Sequence, residues 1–228
     1  MIPYYADDLV TLYHGDCREV LPSLSRPLAH TVLTDPPFSM PAQLYSGRAW
    51  QRSWADTSIL SGWWDSVMAI ITPMVMPDGH VLVFCDDSAY PAFYPAVYSR
   101  WPNLGCLVWD KGRPGMGTAW RSSIELIIAA RGQSAYWAGG AASSILSFAP
   151  THHSQRIHPV DKPEPLLRAL IEPTTPASGL VLDPFAGGGS TLAAARSLGR
   201  RAIGVELDEK YCELAARRLS QQVMMPHG

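Results

Sequence analysis

The stretch Asp35–Phe38, DPPF, carries residue types suited to chemistry, and it follows the apolar run AHTVLT at 29–34. Proline fixes φ and has no N–H donor, and the residue before a proline is pushed out of the helical region. Asp35 is therefore held extended on a rigid corner after a buried strand, with an aromatic ring behind it. This placement favours a carboxylate with a chemical role. The alternative is a plain strand-to-helix turn that happens to contain two prolines.

A glycine loop joins a second strand to a helix in VLDPFAGGGSTLAAA, residues 181–195. Gly187–Gly189 let a backbone approach a ligand without obstruction by Cβ atoms. Ser190 and Thr191 lie at the helix N-terminus, where free N–H groups attract anions. Glu206 ends the next strand, where an acid meets ribose hydroxyls in nucleotide-binding α/β folds. The loop is not GxGxxG, so a carboxylate-bearing nucleoside fits as well as a pyrophosphate; a glycine-rich helix start beside an exposed glutamate is the alternative.

Short apolar runs alternate with helical segments along the chain, which predicts a doubly wound α/β sheet. Strands are predicted at 9–15, 30–34, 80–85, 105–110, 124–130, 180–183 and 201–206. Helices are predicted at 58–76, 190–199 and 208–219. No good helix separates 105–110 from 124–130, so these two strands are predicted to pair antiparallel. Ligands bind outside the carboxyl ends of strands in such sheets, where the strand order reverses. Asp35 and the glycine loop would share that crevice if their strands are neighbours.

The bulk composition excludes several classes of protein. A chain of 228 residues with 47% hydrophobic and 17% charged residues predicts a single α/β domain, 1–228. We find no signal peptide and no apolar run of about 18 residues, so no membrane span is predicted. Four cysteines far apart argue against disulfides and fit a cytoplasmic location. A net charge of −2 argues against coating DNA by bulk charge.

Several motifs in one order resemble the beta group of the amino-group DNA methyltransferases, the N-4/N-6 DNA methylase family. DPPF resembles the catalytic tetrapeptide of that family, and LDPFAGGGST resembles its cofactor motif. Four further segments also fit: 14–24, 109–132, 158–171 and 204–219. The resemblance implies a Rossmann-like S-adenosylmethionine-dependent methyltransferase fold. That fold is a mixed, mostly parallel seven-stranded sheet with helices on both faces.

The resemblance also implies a mechanism without a covalent adduct or a metal. The catalytic residues would be Asp35, Pro36, Pro37 and Phe38. Asp35 and the Pro36 carbonyl would accept the two N–H bonds of an exocyclic amine, which frees the nitrogen lone pair for attack on the sulfonium methyl group. Phe38 would stack on the flipped-out base. Aspartate at the first position favours adenine N6 over cytosine N4.

The cofactor S-adenosyl-L-methionine would be held, by the same resemblance, along the strand ends. Its methionine part would contact the glycine loop, and its ribose would bind Glu206. Its adenine would contact Leu207, Asp16 and Cys17. Lys162 and His158 match a segment that touches the methionine end, although Lys162 could instead be a solvated loop lysine. The full predicted set is Asp16, Cys17, Asp35, His158, Lys162, Asp183, Phe185, Ala186, Gly187, Gly189, Ser190, Thr191, Glu206 and Leu207.

DNA contacts are expected from two irregular stretches, a lid loop at about 38–57 and a target-recognition insertion at about 132–157. The residues predicted to bind DNA are Arg48, Arg52, Lys111, Arg113, Arg121, His152 and His153. The histidines form a weak case for a metal, and a polar DNA-facing loop is favoured. The small recognition region implies a short site, a homodimer or a partly single-stranded substrate.

Three other functions remain open at this level. A methyltransferase acting on RNA or a free nucleobase would show no DNA sequence preference. A DNA-binding regulator that keeps the fold but does no chemistry would leave the intact DPPF and glycine loop without a role. A nicotinamide dehydrogenase would leave DPPF unexplained. The resemblance to the amino-group DNA methyltransferases suggests a link with restriction–modification, but neither a target sequence nor a nuclease partner follows from the residues.

Overall fold

The computed structural model describes residues 1–25, 28–37, 54–115, 120–151 and 161–223. The strands are β1 (Tyr5–Ala6), β2 (Val10–His14), β3 (Ala29–Thr34), β4 (Val75–Cys85), β5 (Asn103–Asp110), β6 (Ile124–Arg131), β7 (Ile145–Ser147), β8 (Leu180–Asp183) and β9 (Arg201–Glu206). The helices are α1 (Cys17–Ser23), α2 (Trp54–Ile71), α3 (Tyr90–Tyr98), α4 (Glu164–Thr174), α5 (Ser190–Ser197) and α6 (Glu209–Val223), and a 3₁₀ turn covers Thr72–Met74.

All the described strands form one sheet in the order β1-β2-β9-β8-β3-β4-β6-β5-β7. β1 pairs antiparallel with β2, and β6 pairs antiparallel with both β4 and β5, whereas the other pairs are parallel. The mixed, mostly parallel sheet and the antiparallel β5–β6 pair are confirmed. The count of seven strands is corrected to nine. The two additional strands, β1 and β7, have two and three residues and extend the edges, and runs this short show no hydrophobic periodicity.

The boundary between α2 and β4 differs from the prediction. α2 ends at Ile71 rather than 76, and β4 begins at Val75 rather than 80. Pro73 lies in the 3₁₀ turn between them and lacks the N–H that an α-helix would need. The last four residues of the predicted lid, 54–57, already belong to α2, and residues 38–53 lie outside the described ranges.

The strand order reverses between β3 and β8. These two strands pair directly, with Thr31 opposite Val181 and Val32 opposite Leu182. The chain continues from β3 to β4 on one side and from β8 to β9 on the other. Parallel neighbours end at the same edge of a sheet, so the residues that follow β3 and β8 lie beside each other at the switch point. The predicted placement of the two motifs is therefore confirmed.

Helices cover both faces of the sheet, as the fold class predicted. One core layer packs α1, α2 and α3 on the sheet, with Trp64 of α2 and Phe93 of α3 fully buried. The other layer packs α4, α5 and α6, with Leu166 of α4 and Leu192 of α5 fully buried. These layers fix the strands whose carboxyl ends carry the site.

Candidate active site

Asp35 follows β3 directly, at the switch point of the sheet. Its Oδ2 lies 2.6 Å from Nζ of Lys162, and its side chain is 19% exposed. Its Oδ1 is buried and has no hydrogen-bond partner among the residues that the structure describes. Burial raises the pKa of Asp35, and the charge of Lys162 opposes that rise. One oxygen is thus paired with a cation, while the other is a buried acceptor without a donor in the described part of the chain.

Lys162 connects Asp35 to a second acid across the end of β4. Its Nζ lies 2.9 Å from Oε2 of Glu125, and the Glu125 Oε1 lies 2.7 Å from Nζ of Lys111. The Lys162 ammonium also lies 5.0 Å from the ring centroid of Phe84. The two carboxylates keep the Lys162 pKa above its ordinary value, and the two lysines keep the Glu125 pKa below its own. The result is an alternating chain of charges, Asp35–Lys162–Glu125–Lys111.

Glu125 was not predicted as a site residue. It is the second residue of β6, inside the apolar run IELIIAAR, where a single acid indicates no more than the start of a strand. Trp109 is also new: it lies opposite Glu125 in the β5–β6 pair, and its ring is 6.0 Å from the Lys162 ammonium. No local pattern identifies either residue, because the two strands and Lys162 are far apart in sequence.

Asp183, the last residue of β8, is the second buried acid of the switch point. Its Oδ1 accepts hydrogen bonds from the Thr34 hydroxyl at 2.8 Å and from the Phe185 amide at 3.1 Å. Burial raises the pKa of Asp183 to about 6, against the opposing effect of hydrogen bonds from Thr191, Thr34 and the Phe185 amide. Among the described residues no cation lies within ion-pair distance of this carboxyl group.

The glycine loop is held by the acid predicted to bind a ribose. The Gly187 amide donates to Glu206 Oε2 at 2.8 Å, and the Asp208 amide donates to Oε1 at 2.8 Å. Gly189 caps α5 with a φ of +75°, and a Cβ atom there would lie 2.8 Å from that of Ala215. Only glycine fits this position without displacing α6. Glu206 therefore shapes the loop, and further lone pairs on its oxygens remain for a ligand.

The carboxyl end of β2 adjoins Glu206 and Leu207. The Gly15 amide donates to the Glu206 carbonyl at 2.9 Å, and His14 Nε2 lies 3.1 Å from the Leu207 carbonyl oxygen. Leu207 is 67% exposed, so its side chain is open to a planar ligand. Asp16 caps α1 and binds the Arg18 guanidinium, which lowers the Asp16 pKa.

The other predicted cofactor residues differ in their burial and packing. Cys17 is buried, and burial raises the pKa of its thiol to about 12, so it is not a thiolate nucleophile at neutral pH. The Phe185 ring packs against Trp63 of α2, with 5.7 Å between ring centroids. Ala186 and Thr191 are buried, and Ser190 is half-buried at the start of α5.

The predicted DNA contacts are only partly within the described residues. Lys111 pairs with Glu125, whereas Arg113 and Arg121 are exposed. A cavity of about 510 Å³ lies between the turn 110–113 and the segment 147–150. Five predicted side chains fall outside the described ranges: Phe38 of the catalytic motif, Arg48, Arg52, His152 and His153. The predicted cofactor residue His158 also lies outside them.

The predicted recognition insertion begins at the opposite edge of the sheet from Asp35. The Gly132 amide donates to the Gly79 carbonyl near the start of the β4 pairing, and the Ala138 amide donates to the Pro173 carbonyl at the end of α4. The chain returns along β7, and the Phe148 amide reaches the Asp110 carbonyl at the site edge. Of the described part of this segment, only residues from about 145 onward lie near the candidate site.

Neither a metal centre nor a membrane span is found in the described part of the chain. No group of three or more His, Cys, Asp or Glu residues in these ranges could hold a metal ion. No helix there is long and apolar enough to cross a bilayer. All four cysteines are free thiols.

Known proteins resemble this chain in sequence. The family model for DNA methylases matches residues 108–217. The putative methylase YubD of Escherichia coli K12 is 48% identical over 69 residues, which is 30% of each chain. The type II methyltransferase M2.DpnII of Streptococcus pneumoniae is 23% identical and aligns over 96% of this chain and 93% of its own. M.ScaI of Streptomyces caespitosus is 25% identical over 96% of this chain and 84% of its own.

Solved structures share the fold. The M1.HpyAVI–SAM complex superposes with a TM-score of 0.73 at 21% identity, covering 92% of this chain and 99% of that one. The cytosine-N4-specific PvuII DNA methyltransferase gives a TM-score of 0.76 at 16% identity, covering 95% of this chain and 88% of that one. TTHA0409 of Thermus thermophilus, complexed with S-adenosyl-L-methionine, gives a TM-score of 0.73 at 23% identity, covering 93% of this chain and 94% of that one.

Proposed function

We propose that this chain acts as a member of the N6/N4 DNA methylase family, whose model matches residues 108–217, and that it transfers a methyl group from S-adenosyl-L-methionine to the N6 amine of adenine in DNA. The observation that carries the proposal is the open Oδ1 of Asp35, a buried acceptor at the switch point without a donor among the described residues. A buried polar atom without a partner is costly, and an exocyclic amine supplies the missing N–H.

Asp35 and its neighbour prepare the amine for reaction. Asp35 Oδ1 accepts one N–H of the base, and the Pro36 carbonyl oxygen accepts the other, so the nitrogen lone pair is drawn out of conjugation with the ring. Pro36 and Pro37 keep these acceptors fixed, so that little reorganisation is needed as positive charge develops on the nitrogen. Phe38 is proposed to stack on the flipped base.

The strand ends beside Asp35 fit the chemistry of the cofactor. When bound, S-adenosyl-L-methionine supplies an electrophilic methyl group on a sulfonium centre. Asp183 offers a buried carboxylate without a cation among the described residues, which suits a ligand ammonium group. The half-buried Ser190 at the N-terminus of α5 suits a ligand carboxylate. Glu206 and the exposed Leu207 suit a ribose and an adenine, respectively.

The choice of base rests on the first residue of the catalytic motif. Aspartate in that position favours adenine N6, whereas serine would favour cytosine N4. Cytosine N4 and a nucleic acid other than duplex DNA are the alternatives that an experiment must separate. We expect the reaction in the cytoplasm, with DNA as the partner, and a homodimer remains a prediction that sedimentation would check.

The proposal is tested by identifying the methylated nucleoside. Purified protein is incubated with S-adenosyl-L-methionine labelled in its methyl group and with duplex DNA, single-stranded DNA or RNA, beside the variant Asp35→Ala. Digestion to nucleosides and mass analysis should give N6-methyladenine from DNA with the wild type only. N4-methylcytosine would overturn the choice of adenine. Label confined to RNA, or absent from every nucleic acid although the cofactor binds, would overturn the DNA methyltransferase assignment.

A further inference from the structure

Lys162 is shared between two acids that flank β4. Its Nζ lies 2.6 Å from Asp35 after β3 and 2.9 Å from Glu125 on β6. The Lys162 side chain is only 7% exposed, so the two carboxylates rather than solvent compensate most of its charge. If Asp35 were the sole carboxylate partner of this buried ammonium, the whole positive charge would act on Asp35. Because Glu125 also binds the ammonium, its electrostatic effect is shared between the two carboxylates.

Glu125 is itself balanced by a second cation. Lys111 binds its other oxygen at 2.7 Å, and the Lys111 side chain is 22% exposed. The chain of charges therefore starts at the buried catalytic acid and ends near the surface, beside the turn 110–113. Without Lys111, Glu125 would draw the Lys162 ammonium more strongly toward itself.

From this arrangement we propose that Glu125 is a positioning residue for the catalytic acid. By sharing Lys162 with Asp35, it limits how far the ammonium neutralises Asp35 and leaves Oδ1 a strong acceptor for the amine. Lys111 sets the strength of this competition from the edge of the site. The inference rests on the proposed function for its effect on methyl transfer, whereas the effect on the Asp35 carboxyl is independent of it.

The electrostatic effects of the two groups on Asp35 have opposite signs. The negative charge of Glu125 raises the pKa of Asp35, and the positive charge of Lys111 lowers it. Among the described residues, Lys162, Asp183 at the end of β8 and the Cys85 thiol at the end of β4 also act electrostatically on this corner. Glu125→Gln should therefore lower the Asp35 pKa, and Lys111→Met should raise it. A merely structural role for Glu125 would not produce shifts of opposite direction.

The test combines two measurements on the full chain. Carboxyl ¹³C chemical shifts of labelled aspartates are followed against pH in the wild type, Glu125→Gln and Lys111→Met, and Asp35→Asn assigns the signal. Methyl transfer by the same proteins is measured at saturating cofactor. Glu213→Gln is the matched control, because Glu213 is an exposed acid on α6 paired with Arg217.

We expect Glu125→Gln to lower the pKa of Asp35 and to reduce kcat about tenfold, with little change in the KM for cofactor or DNA. Lys111→Met should raise the same pKa, and Glu213→Gln should change nothing. An Asp35 pKa that does not move in either variant, or an unchanged kcat in Glu125→Gln, would overturn the inference. If the wild type methylates no nucleic acid, the proposed function fails, and the two pKa shifts still decide whether Glu125 controls the charge on Asp35.

Discussion

Asp35 and Asp183 are acids at the carboxyl ends of neighbouring strands, but their surroundings differ. Asp35 is paired with the buried ammonium of Lys162, and its Oδ1 has no donor within the described ranges. Asp183 is surrounded by neutral donors, the Thr34 hydroxyl and the Phe185 amide. A carboxylate that already has its cation suits a neutral ligand, whereas one without a cation suits a positively charged ligand. This contrast supports the proposed division of roles, in which the base amine binds at Asp35 and the cofactor ammonium binds at Asp183.

Removing Asp35 should have the largest effect on activity. Asp35→Ala deletes the acceptor that activates the amine, and we expect kcat to fall about 10³-fold, as for the loss of a preorganised polar group at a reacting centre. The Kd for S-adenosyl-L-methionine, measured by calorimetry, should change little. Asp65→Ala is the matched control, because Asp65 is 60% exposed and pairs with Arg100 rather than with a residue of the candidate site. A loss of cofactor affinity that matched the loss of kcat would abolish the proposed division between the acids.

Removing Lys162 should have the largest effect on stability. Lys162→Met leaves two buried carboxylates without their shared cation, and breaking a buried pair costs roughly 3–5 kcal/mol. Urea unfolding should show a loss of this size in the free energy of unfolding, and the double variant Lys162→Met/Asp35→Asn should recover part of it. Lys210→Met, at an exposed position of α6, serves as the control. Equal stability of Lys162→Met and the wild type would mean that the ammonium does not compensate these acids.

Replacing Asp183 with a neutral residue should raise the free energy of unfolding, whereas replacing Lys162 lowers it. Burial raises its pKa from 3.8 to about 6, so the ionised form destabilises the folded state. This penalty is absent below pH 3.8, grows through the interval to pH 6 and is complete above it, where it amounts to roughly 3 kcal/mol. Asp183→Asn should therefore unfold at higher urea concentration than the wild type at pH 7.5, and the difference should vanish near pH 4.

The same variant should bind the cofactor more weakly, because the amide cannot pair with an ammonium group. Asp65→Asn again serves as the control for both measurements. A stability difference between Asp183→Asn and the wild type that is constant from pH 4 to pH 7.5 would show that Asp183 keeps its ordinary pKa. Unchanged cofactor affinity would remove Asp183 from the proposed binding site.

The sequence was most informative where residues are buried on both faces or carry a motif. The bounds of β8 and β9 agree with the predicted strands 180–183 and 201–206, because both runs are short, rich in apolar residues and bounded by turn residues. α1, α3 and α4 were not predicted as helices. Each contains proline inside its bounds, which hides the helical pattern although tertiary packing maintains it.

The residues of the candidate site could also be predicted only in part from the sequence. Asp35 and the glycine loop could be placed in one crevice from their strands, because parallel neighbours end at one edge. Glu125 could not be placed there, since its contact with Lys162 joins β6 to the segment before α4, which is distant from it in sequence. Lys162 was assigned to the cofactor by its motif, whereas in the structure it binds Asp35. Motifs identify residue types, but only the packed sheet determines which charges compensate one another.

The most direct test of the division between the two acids is a site-resolved titration. Carboxyl ¹³C shifts of Asp35 and Asp183 are recorded against pH with and without S-adenosyl-L-methionine, in the absence of DNA so that no turnover occurs. Cofactor binding should lower the pKa of Asp183 from about 6 and should change that of Asp35 less. An Asp183 pKa that does not move, or a larger shift at Asp35, would contradict the assignment of the cofactor ammonium to Asp183.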